Sequence, residues 1–230
     1  MRITANDVAN MMDLSCVKTF TTLHDVNELL DMAQKYSFGQ VSVLQCHLAH
    51  CVETLKDRKD IKVVGNMSFP SGSDSTEMKV VQTKQMLDVG CTELDVVMNV
   101  GMFLSKEYDF VLKDLKAVVK TVDKKVPLKV IIEVGYLTEE QVKKASEICL
   151  ASGADFVKTG TGWSGATTIK QIEIIKAVVG EKMLIKASGG VRTPEDFANM
   201  MRAGANRIGI NLKSGISIVE ACQASGGLEV

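Results

Sequence analysis

The stretch DFVKTGTGWSGATTIKQIEIIKAVVGEKMLIKAS, residues 155–188, decides the fold class. It begins with a short β-rich run at Asp155–Thr159, continues with a longer helical pattern at Thr168–Val179, and returns to a β-rich run at Met183–Ala187. A strand, a helix and a second strand in this order favour parallel pairing of the two strands. The stretch therefore predicts one β/α unit of a parallel sheet.

The same alternation extends in both directions along the chain. The other candidate strands are Met11–Cys16, Val41–Leu44, Lys62–Ser68, Glu93–Asn99, Leu128–Val134 and Arg207–Ile210. The other helical stretches are Asp25–Tyr36, Ser75–Val89, Glu107–Lys120, Glu139–Ala151 and Pro194–Ala203. Eight strands in this alternation predict an α/β fold of the (β/α)₈ TIM-barrel type, with an open doubly wound sheet as the competing fold. Because no linker or repeat interrupts the pattern, we expect one domain over residues 1–230.

Composition restricts the class of protein. Charged residues make up 24% and hydrophobic residues 46% of the 230 residues, which is typical of a soluble globular chain. The formal net charge of −1 gives no support for nucleic acid as a partner. The six cysteines form no CxxC pair, and the chain has no signal-peptide pattern and no apolar run long enough for a bilayer. We therefore expect a cytoplasmic protein with reduced thiols and no membrane partner.

Two lysines end consecutive predicted strands. Lys158 lies on the same strand face as Phe156, and Lys186 occupies the corresponding position in MLIKASGG. Two inward ammonium groups on neighbouring strands repel each other, so one of them loses its proton more readily. The neutral amine can then attack a carbonyl group. The alternative for either lysine is a side chain that reaches solvent or pairs with an acid.

Acidic residues lie at the ends of other strands. Asp95, in ELDVVMNVG, needs a cationic partner in an apolar strand and could move protons during the reaction; a structural ion pair is the alternative. Glu133, in KVIIEVGY, is expected either to support a lysine through a salt bridge or to act directly. Since barrel enzymes build their sites at the carboxyl ends of strands, these acids and the two lysines predict a common pocket.

Glycine-rich turns follow the lysine strands. Gly160-Thr161-Gly162, Gly189-Gly190 and Gly209 allow backbone amides to approach an anion, which favours a bound phosphate; tight-turn geometry is the alternative. GTGWSG, residues 160–165, also matches a dinucleotide fingerprint, but it follows the sixth strand and a lysine precedes it. Cys46, His47, His50 and Cys51 lack a supporting ligand cluster, so we expect no metal site. Trp163 and Met200-Met201 are interpreted as packing residues.

The sequence resembles the deoxyribose-phosphate aldolase family over nearly its whole length. The resemblance is carried by DLSCVK (13–18), SFPSG (68–72), ELDVVMNVG (93–101), KVIIEVGYLT (129–138), GADFVKTGTGW (153–163), GAT (165–167) and IKASGGVRTPEDF (185–197). Their number and order make the match specific.

The resemblance implies a reaction and a set of site residues. Lys158 stands where the family forms its Schiff base, Lys186 where a second lysine lowers the pKa of the first, and Asp95 where the proton-relay aspartate lies. Asp13 matches a position in the substrate pocket, and the matching positions near the phosphate are Gly162, Gly189, Gly190 and Gly209. The family reversibly cleaves 2-deoxy-D-ribose 5-phosphate to D-glyceraldehyde 3-phosphate and acetaldehyde. It needs no metal or organic cofactor and forms dimers or larger homo-oligomers.

The chain departs from the family pattern in two places. Near the second strand it has Ser42 and Leu44-Gln45 where the family often has a cysteine and an Asn-Pro pair. After Gly209 it has Ile-Asn-Leu-Lys-Ser where the family has adjacent serines, which makes Asn211, Lys213 and Ser214 the candidate phosphate contacts. The changes leave open a different aldehyde or sugar substrate, a phosphosugar-binding barrel without catalysis, and, more remotely, a nicotinamide enzyme.

Overall fold

Eight parallel strands close into a barrel in the computed structural model, which describes residues 1–230. The barrel strands are β2 (Met12–Cys16), β3 (Gln40–Val43), β4 (Lys62–Met67), β5 (Glu93–Val97), β6 (Leu128–Ile131), β7 (Phe156–Lys158), β8 (Leu184–Ser188) and β9 (Arg207–Asn211). Each strand pairs with the next along the chain, and β9 pairs with β2. The predicted (β/α)₈ barrel is confirmed, and the open sheet is excluded.

Ten helices accompany the strands. They are α1 (Ala5–Asn10), α2 (Leu23–Tyr36), α3 (Leu48–Thr54), α4 (Thr76–Val89), α5 (Val100–Leu104), α6 (Tyr108–Val122), α7 (Glu139–Ser152), α8 (Ile169–Val179), α9 (Pro194–Arg202) and α10 (Leu212–Ala224). All six predicted helices are present. The other four are mostly short, and α10 was missed although Asn211 caps it by accepting a hydrogen bond from the amide of Ser214.

Local sequence signals explain where several helices begin and end. Thr138, Thr168 and Thr193 each accept a hydrogen bond from the third helical amide, and the N3 side chain in turn accepts one from the backbone amide of the cap residue. Gly90 and Gly153 end their helices in the left-handed conformation that glycine adopts without steric cost.

The hydrophobic core lies between the barrel and its helices. Side chains such as Leu14, Val96 and Ile185 are fully buried there. At the chain ends, β1 (Arg2–Ile3) and β10 (Leu228–Glu229) form a small antiparallel ribbon outside the barrel. None of the helices combines the length and the apolarity that crossing a membrane requires.

Strand register determines which polar side chains share the barrel interior. Lys158 on β7 is the register partner of Lys186 on β8, and Asp95 on β5 is the partner of Lys129 on β6. Because paired residues of neighbouring strands project to the same side of a sheet, each of these pairs faces one way. The register therefore brings the charged side chains together inside the barrel.

Candidate active site

A cavity of about 340 Å³ opens at the carboxyl ends of the barrel strands. Its lining includes Asp13, Lys158, Gly162, Lys186, Gly189, Gly190, Gly209 and Asn211, which are all the predicted site residues except Asp95. Asp95 lies fully buried and contacts both lysines. The location agrees with where barrel enzymes place their chemistry.

Lys158 is the lysine that the environment makes less basic. The residue is only 6% exposed, and its Nζ lies 2.6 Å from Oδ2 of Asp95. Burial lowers the pKa of Lys158 to about 8, helped by the charge of Lys186, while the carboxylates of Asp95 and Asp13 partly oppose this change. At pH 7 about one tenth of the amines is therefore neutral.

Lys186 is held as a cation. Its Nζ contacts Oδ2 of Asp13 and lies 3.4 Å from Oδ2 of Asp95. Burial on its own would lower the pKa of Lys186, but the charges of Asp13 and Asp95 outweigh burial and raise the pKa. The two neighbouring lysines thus differ because Lys186 lies between two carboxylates.

Asp95 connects the lysines. Its Oδ2 accepts from Lys158 and Lys186, and its Oδ1 accepts from Lys129 at 3.0 Å. Burial would raise the pKa of Asp95, but the positive charges of Lys129, Lys158 and Lys186 lower it well below its usual range. The carboxylate of Asp95 therefore accepts hydrogen bonds from the amines of three lysines.

Lys129 is a buried lysine that the sequence analysis missed. Its Nζ contacts a carboxylate oxygen of Glu93, whose other oxygen accepts from Arg207 at 2.6 Å. Alternation of side chains along a strand was the signal available. Glu93 and Asp95 are two residues apart, and Lys129 and Glu133 are four residues apart, so in an extended strand the members of each pair project to the same side. These residues form a second charged layer beneath Asp95.

Glu133 does not pair with a lysine, so the salt-bridge expectation is wrong. It follows the end of β6 with a left-handed backbone (φ 55°). Its carboxylate accepts from the backbone amide of Thr161 at 3.2 Å and from the hydroxyl of Ser164. Glu133 therefore anchors the loop that follows Lys158 and makes no contact with the lysines.

The glycines at the cavity have identifiable steric roles. A Cβ at Gly209 would lie 2.4 Å from Oγ of Ser188 and 3.3 Å from Cε of Lys186, so glycine leaves room for the lysine. Gly189 and Gly190 both have positive φ angles, 97° and 92°, which favour glycine. A side chain on either would also contact the segment Gly165–Ala166. Both the positive φ angles and the lack of space for a Cβ therefore require glycine at positions 189 and 190.

In the turn after Gly209, the side chain of Asn211 caps helix α10. Asn211 lines the cavity, but its carboxamide accepts from the amide of Ser214 and donates to the hydroxyl of Ser214, each at 3.0 Å. Lys213 and Ser214 lie outside the residues that line the cavity. The last-strand turn therefore offers backbone groups to a ligand more readily than side chains.

The mouth of the cavity carries two cations and two aromatic rings. Lys18 lies 5.8 Å from the ring centroid of Trp163, and the guanidinium of Arg192 forms no salt bridge. Trp163 is 41% exposed and meets Phe69 edge to face at 6.2 Å. Trp163 therefore packs against Phe69, as interpreted from the sequence, and it also lines the cavity. Met200 is buried in the core, as expected.

The two sequence patterns set aside above have other structural roles. The loop at 160–165 does not open directly into a helix, because α8 begins at Ile169. A dinucleotide fingerprint requires its glycines to lead into the helix N-terminus. Nε2 of His50 lies 2.6 Å from Oδ1 of Asn27, and Cys51 is buried. These side chains have partners or packing roles of their own.

The ionisation of Lys158 predicts a pH dependence. Because only the neutral amine is nucleophilic, and the pKa lies near 8, kcat/KM for an aldehyde substrate is expected to rise with pH through about 8 and then level off. A series of kcat/KM measurements between pH 6 and 10 checks this expectation. A profile that is flat across pH 8 would contradict it.

Comparisons with known proteins agree with the fold and give the family. Residues 8–220 match the family model described as DeoC/LacD family aldolase. The deoxyribose-phosphate aldolase of Halalkalibacterium halodurans is 40% identical over 223 residues, covering 96% of this chain and 99% of the relative. The solved structure of QR15, an aldolase, is 35% identical with a TM-score of 0.88 and covers 95% of this chain and 96% of its own.

A second solved structure also superposes closely. It is the tetrameric deoxyribose phosphate aldolase from Aeropyrum pernix, which is 26% identical with a TM-score of 0.86 and covers 96% of this chain and 93% of its own. The family match spans all eight barrel strands and includes Lys158, Lys186 and Asp95. The chain is therefore a lyase that belongs to the DeoC/LacD family of aldolases.

Proposed function

We propose that this chain is a class I aldolase that reversibly cleaves 2-deoxy-D-ribose 5-phosphate to D-glyceraldehyde 3-phosphate and acetaldehyde. The observation that carries the proposal is a lysine amine of lowered pKa in the lining of an open cavity, 2.6 Å from a buried carboxylate. A desolvated lysine beside a proton acceptor is the arrangement that Schiff-base chemistry requires.

The first half of the reaction forms the iminium. The neutral amine of Lys158 attacks C1 of the open-chain aldehyde, and the carbinolamine loses water once its hydroxyl is protonated. Asp95, within hydrogen-bond distance of Lys158 and Lys186, passes the protons between them. Lys186 supplies a positive charge that favours the neutral form of the attacking amine.

The second half breaks the carbon–carbon bond. Asp95, directly or through water, takes the proton from the C3 hydroxyl, so that a C3 carbonyl forms as the C2–C3 electron pair moves into the iminium; this leaves an enamine on Lys158 and releases glyceraldehyde 3-phosphate. Protonation of the enamine at C2 and addition of water then release acetaldehyde and regenerate the amine. The protein-bound iminium accepts the electron pair, so we propose that no cofactor takes part.

Unpaired polar atoms suit a hydroxylated substrate. Oδ1 of Asp13, Oδ1 of Asn66 and Oγ of Ser188 are buried without a hydrogen-bond partner, and all three residues line the cavity. Leaving such an atom unpaired costs about 1–3 kcal/mol. We propose that substrate hydroxyls or ordered water supply these hydrogen bonds.

The cavity mouth suits the 5-phosphate. Gly162, Gly189, Gly190 and Gly209 are among the lining residues, and Lys18 and Arg192 are the cationic residues at the mouth. Amides without intruding side chains and an unpaired guanidinium are typical phosphate ligands.

We expect Lys18→Ala and Arg192→Ala each to raise KM for deoxyribose 5-phosphate about tenfold to a hundredfold, because each removes a charge-assisted contact with the phosphate. Steady-state kinetics with deoxyribose 5-phosphate and with unphosphorylated deoxyribose measure the effect. KM for deoxyribose should not change.

Lys59→Ala is the control, because Lys59 is exposed and precedes β4 at the opposite end of the barrel. Equal losses with both sugars would show that the two cations serve the fold or the chemistry rather than the phosphate.

The proposal as a whole is tested by a retro-aldol assay. Purified protein is mixed with deoxyribose 5-phosphate, and triose phosphate is detected through a coupled reduction. Release of triose phosphate at a rate proportional to protein concentration is expected. Binding of the sugar phosphate without product would instead favour a barrel that binds phosphosugars and does not catalyse.

A second candidate keeps the Schiff base and changes the substrate. Trp163 and Phe69 give the mouth an apolar side, and the side chain of Asn211 is occupied in capping. These features favour an unphosphorylated aldehyde or sugar. A higher kcat/KM for deoxyribose than for its 5-phosphate would select this candidate.

Assembly and location follow as proposals from the relatives and the cysteines. The tetrameric relative from Aeropyrum pernix supports a homo-oligomer. All six cysteines are free, which suits a reducing compartment such as the cytoplasm. We also propose that residues 1–230 act as one domain.

A further inference from the structure

The charged layer beneath Asp95 consists of Glu93, Lys129 and Arg207, and Asp95 links it to Lys158. Glu93 is 1% exposed, Lys129 is fully buried, and Arg207 reaches the barrel edge from β9. Lys129 lies between two carboxylates, with Nζ 3.0 Å from Oδ1 of Asp95 and in contact with Glu93. None of these three residues lines the cavity.

The linked charges around Asp95 comprise three carboxylates and three cations besides Lys158. The anions are Asp13, Glu93 and Asp95, and the cations other than Lys158 are Lys129, Lys186 and Arg207. Lys129 and Lys186 each contact two of these carboxylates, and Arg207 contacts one. A proton on Lys158 therefore gives this linked network one positive charge in excess of its carboxylates. Uncompensated buried charge is strongly unfavourable.

We propose that Lys129 and Glu93 are positioning residues that set the proton occupancy of Lys158 through Asp95. Lys129 binds the oxygen of Asp95 opposite the one that Lys158 binds, so it draws negative charge away from Lys158. Glu93 binds Lys129 and moderates that effect. The inference rests on the proposed function only in treating Lys158 as the nucleophile.

The remaining surroundings of Lys158 add few charges. The inward side chains of β3 and β4 near the cavity are uncharged, namely Ser42 and Asn66. Glu133 on the neighbouring loop is bonded to Thr161 and Ser164, and Lys18 and Arg192 lie exposed at the mouth. Screening by water weakens the effect of these last two cations on the barrel interior.

Removing a cation and removing an anion from this layer should therefore shift the titration midpoint of Lys158 in opposite directions. Lys129→Met removes a cation, which makes a proton on Lys158 more favourable, so its titration midpoint should rise by about 1–2 pH units. Glu93→Gln removes an anion and should lower the midpoint by a similar amount. The double variant removes one charge of each sign and should return the midpoint close to the wild-type value.

The midpoint is measured directly by NMR titration of protein labelled with carbon-13 at the lysine Cε. The Lys158 signal is assigned by its loss in Lys158→Met. This reading does not require substrate or Schiff base, so it is separate from the retro-aldol assay and from borohydride trapping. The pH profile of kcat/KM should move with the NMR midpoint in each variant.

Thermal melting checks that every variant folds. If Lys129→Met fails to fold, Arg207→Met is the substitute, because Arg207 is partly exposed and its loss should also raise the midpoint. Midpoints that stay within about 0.3 pH units of wild type in folded variants, or that move in the same direction for Lys129→Met and Glu93→Gln, would overturn the proposal. A merely structural role would alter stability without producing shifts of opposite sign.

Discussion

Replacing Lys158 by alanine is expected to reduce kcat of the retro-aldol reaction by at least about 10⁴-fold. The reason is that no other amine in the cavity combines access with a lowered pKa: Lys186 is held between Asp13 and Asp95, and its pKa is raised. Loss of the nucleophile removes the covalent route altogether. Residual activity should reflect binding and general acid–base effects alone.

Covalent trapping measures the same residue directly. Wild-type protein incubated with acetaldehyde and borohydride should gain one reduced adduct at Lys158, located by mass spectrometry of the digested protein, whereas Lys158→Ala should gain none. Lys170→Ala is the matched control, because Lys170 is exposed on α8 and should leave trapping and kcat unchanged. An adduct on a different lysine in the wild-type protein would assign the nucleophile elsewhere.

The second large effect is expected for Asp95→Asn. The substitution keeps the shape of the side chain but removes the carboxylate that three amines share, so kcat should fall by about 10²–10⁴-fold through loss of proton transfer. The three ammonium groups also lose a buried counter-charge. Removing one partner of a buried ion pair typically costs about 3–5 kcal/mol of the free energy of unfolding.

The pH profile distinguishes these causes. Without the carboxylate of Asp95, the pKa of Lys158 should fall below about 8, because an opposing charge has been removed. The midpoint of kcat/KM should therefore move to lower pH while its plateau drops. Measurements of kcat/KM between pH 5 and 9, together with urea unfolding, check both effects. A plateau equal to wild type would show that Asp95 has no role in proton transfer.

Local sequence signals accounted for most of the fold. Eight β-rich runs and six helical patterns were visible because apolar periodicity, threonine caps and glycine ends act over a few residues. Helices such as α3 and α5 were missed because they are short and carry weak periodic signals. Their place is fixed by packing after the barrel closes.

Part of the site could also be predicted from local sequence signals. Lys158, Lys186 and Asp95 stand out because charged residues in apolar strands are conspicuous, and the resemblance to a family gave them expected roles. Glu133 was expected to face inward by continuing the alternation of β6. The strand ends earlier, at Ile131, so this alternation does not extend to Glu133. Lys129 was overlooked because its partners, Glu93 and Asp95, lie on a neighbouring strand.

By itself, the sequence determined the order of elements and the polar residues that end the strands, since these depend on interactions between near neighbours along the chain, whereas closure of the barrel depends on pairing of β9 with β2. The charge pattern of the sequence left open which lysine is the less basic one, and only the tertiary structure gives the physical cause that makes it Lys158. That difference depends on distances between Asp13, Asp95, Lys158 and Lys186, which come from four separate strands. Electrostatic interactions fall with distance in space, and separation along the chain does not give that distance until the barrel closes.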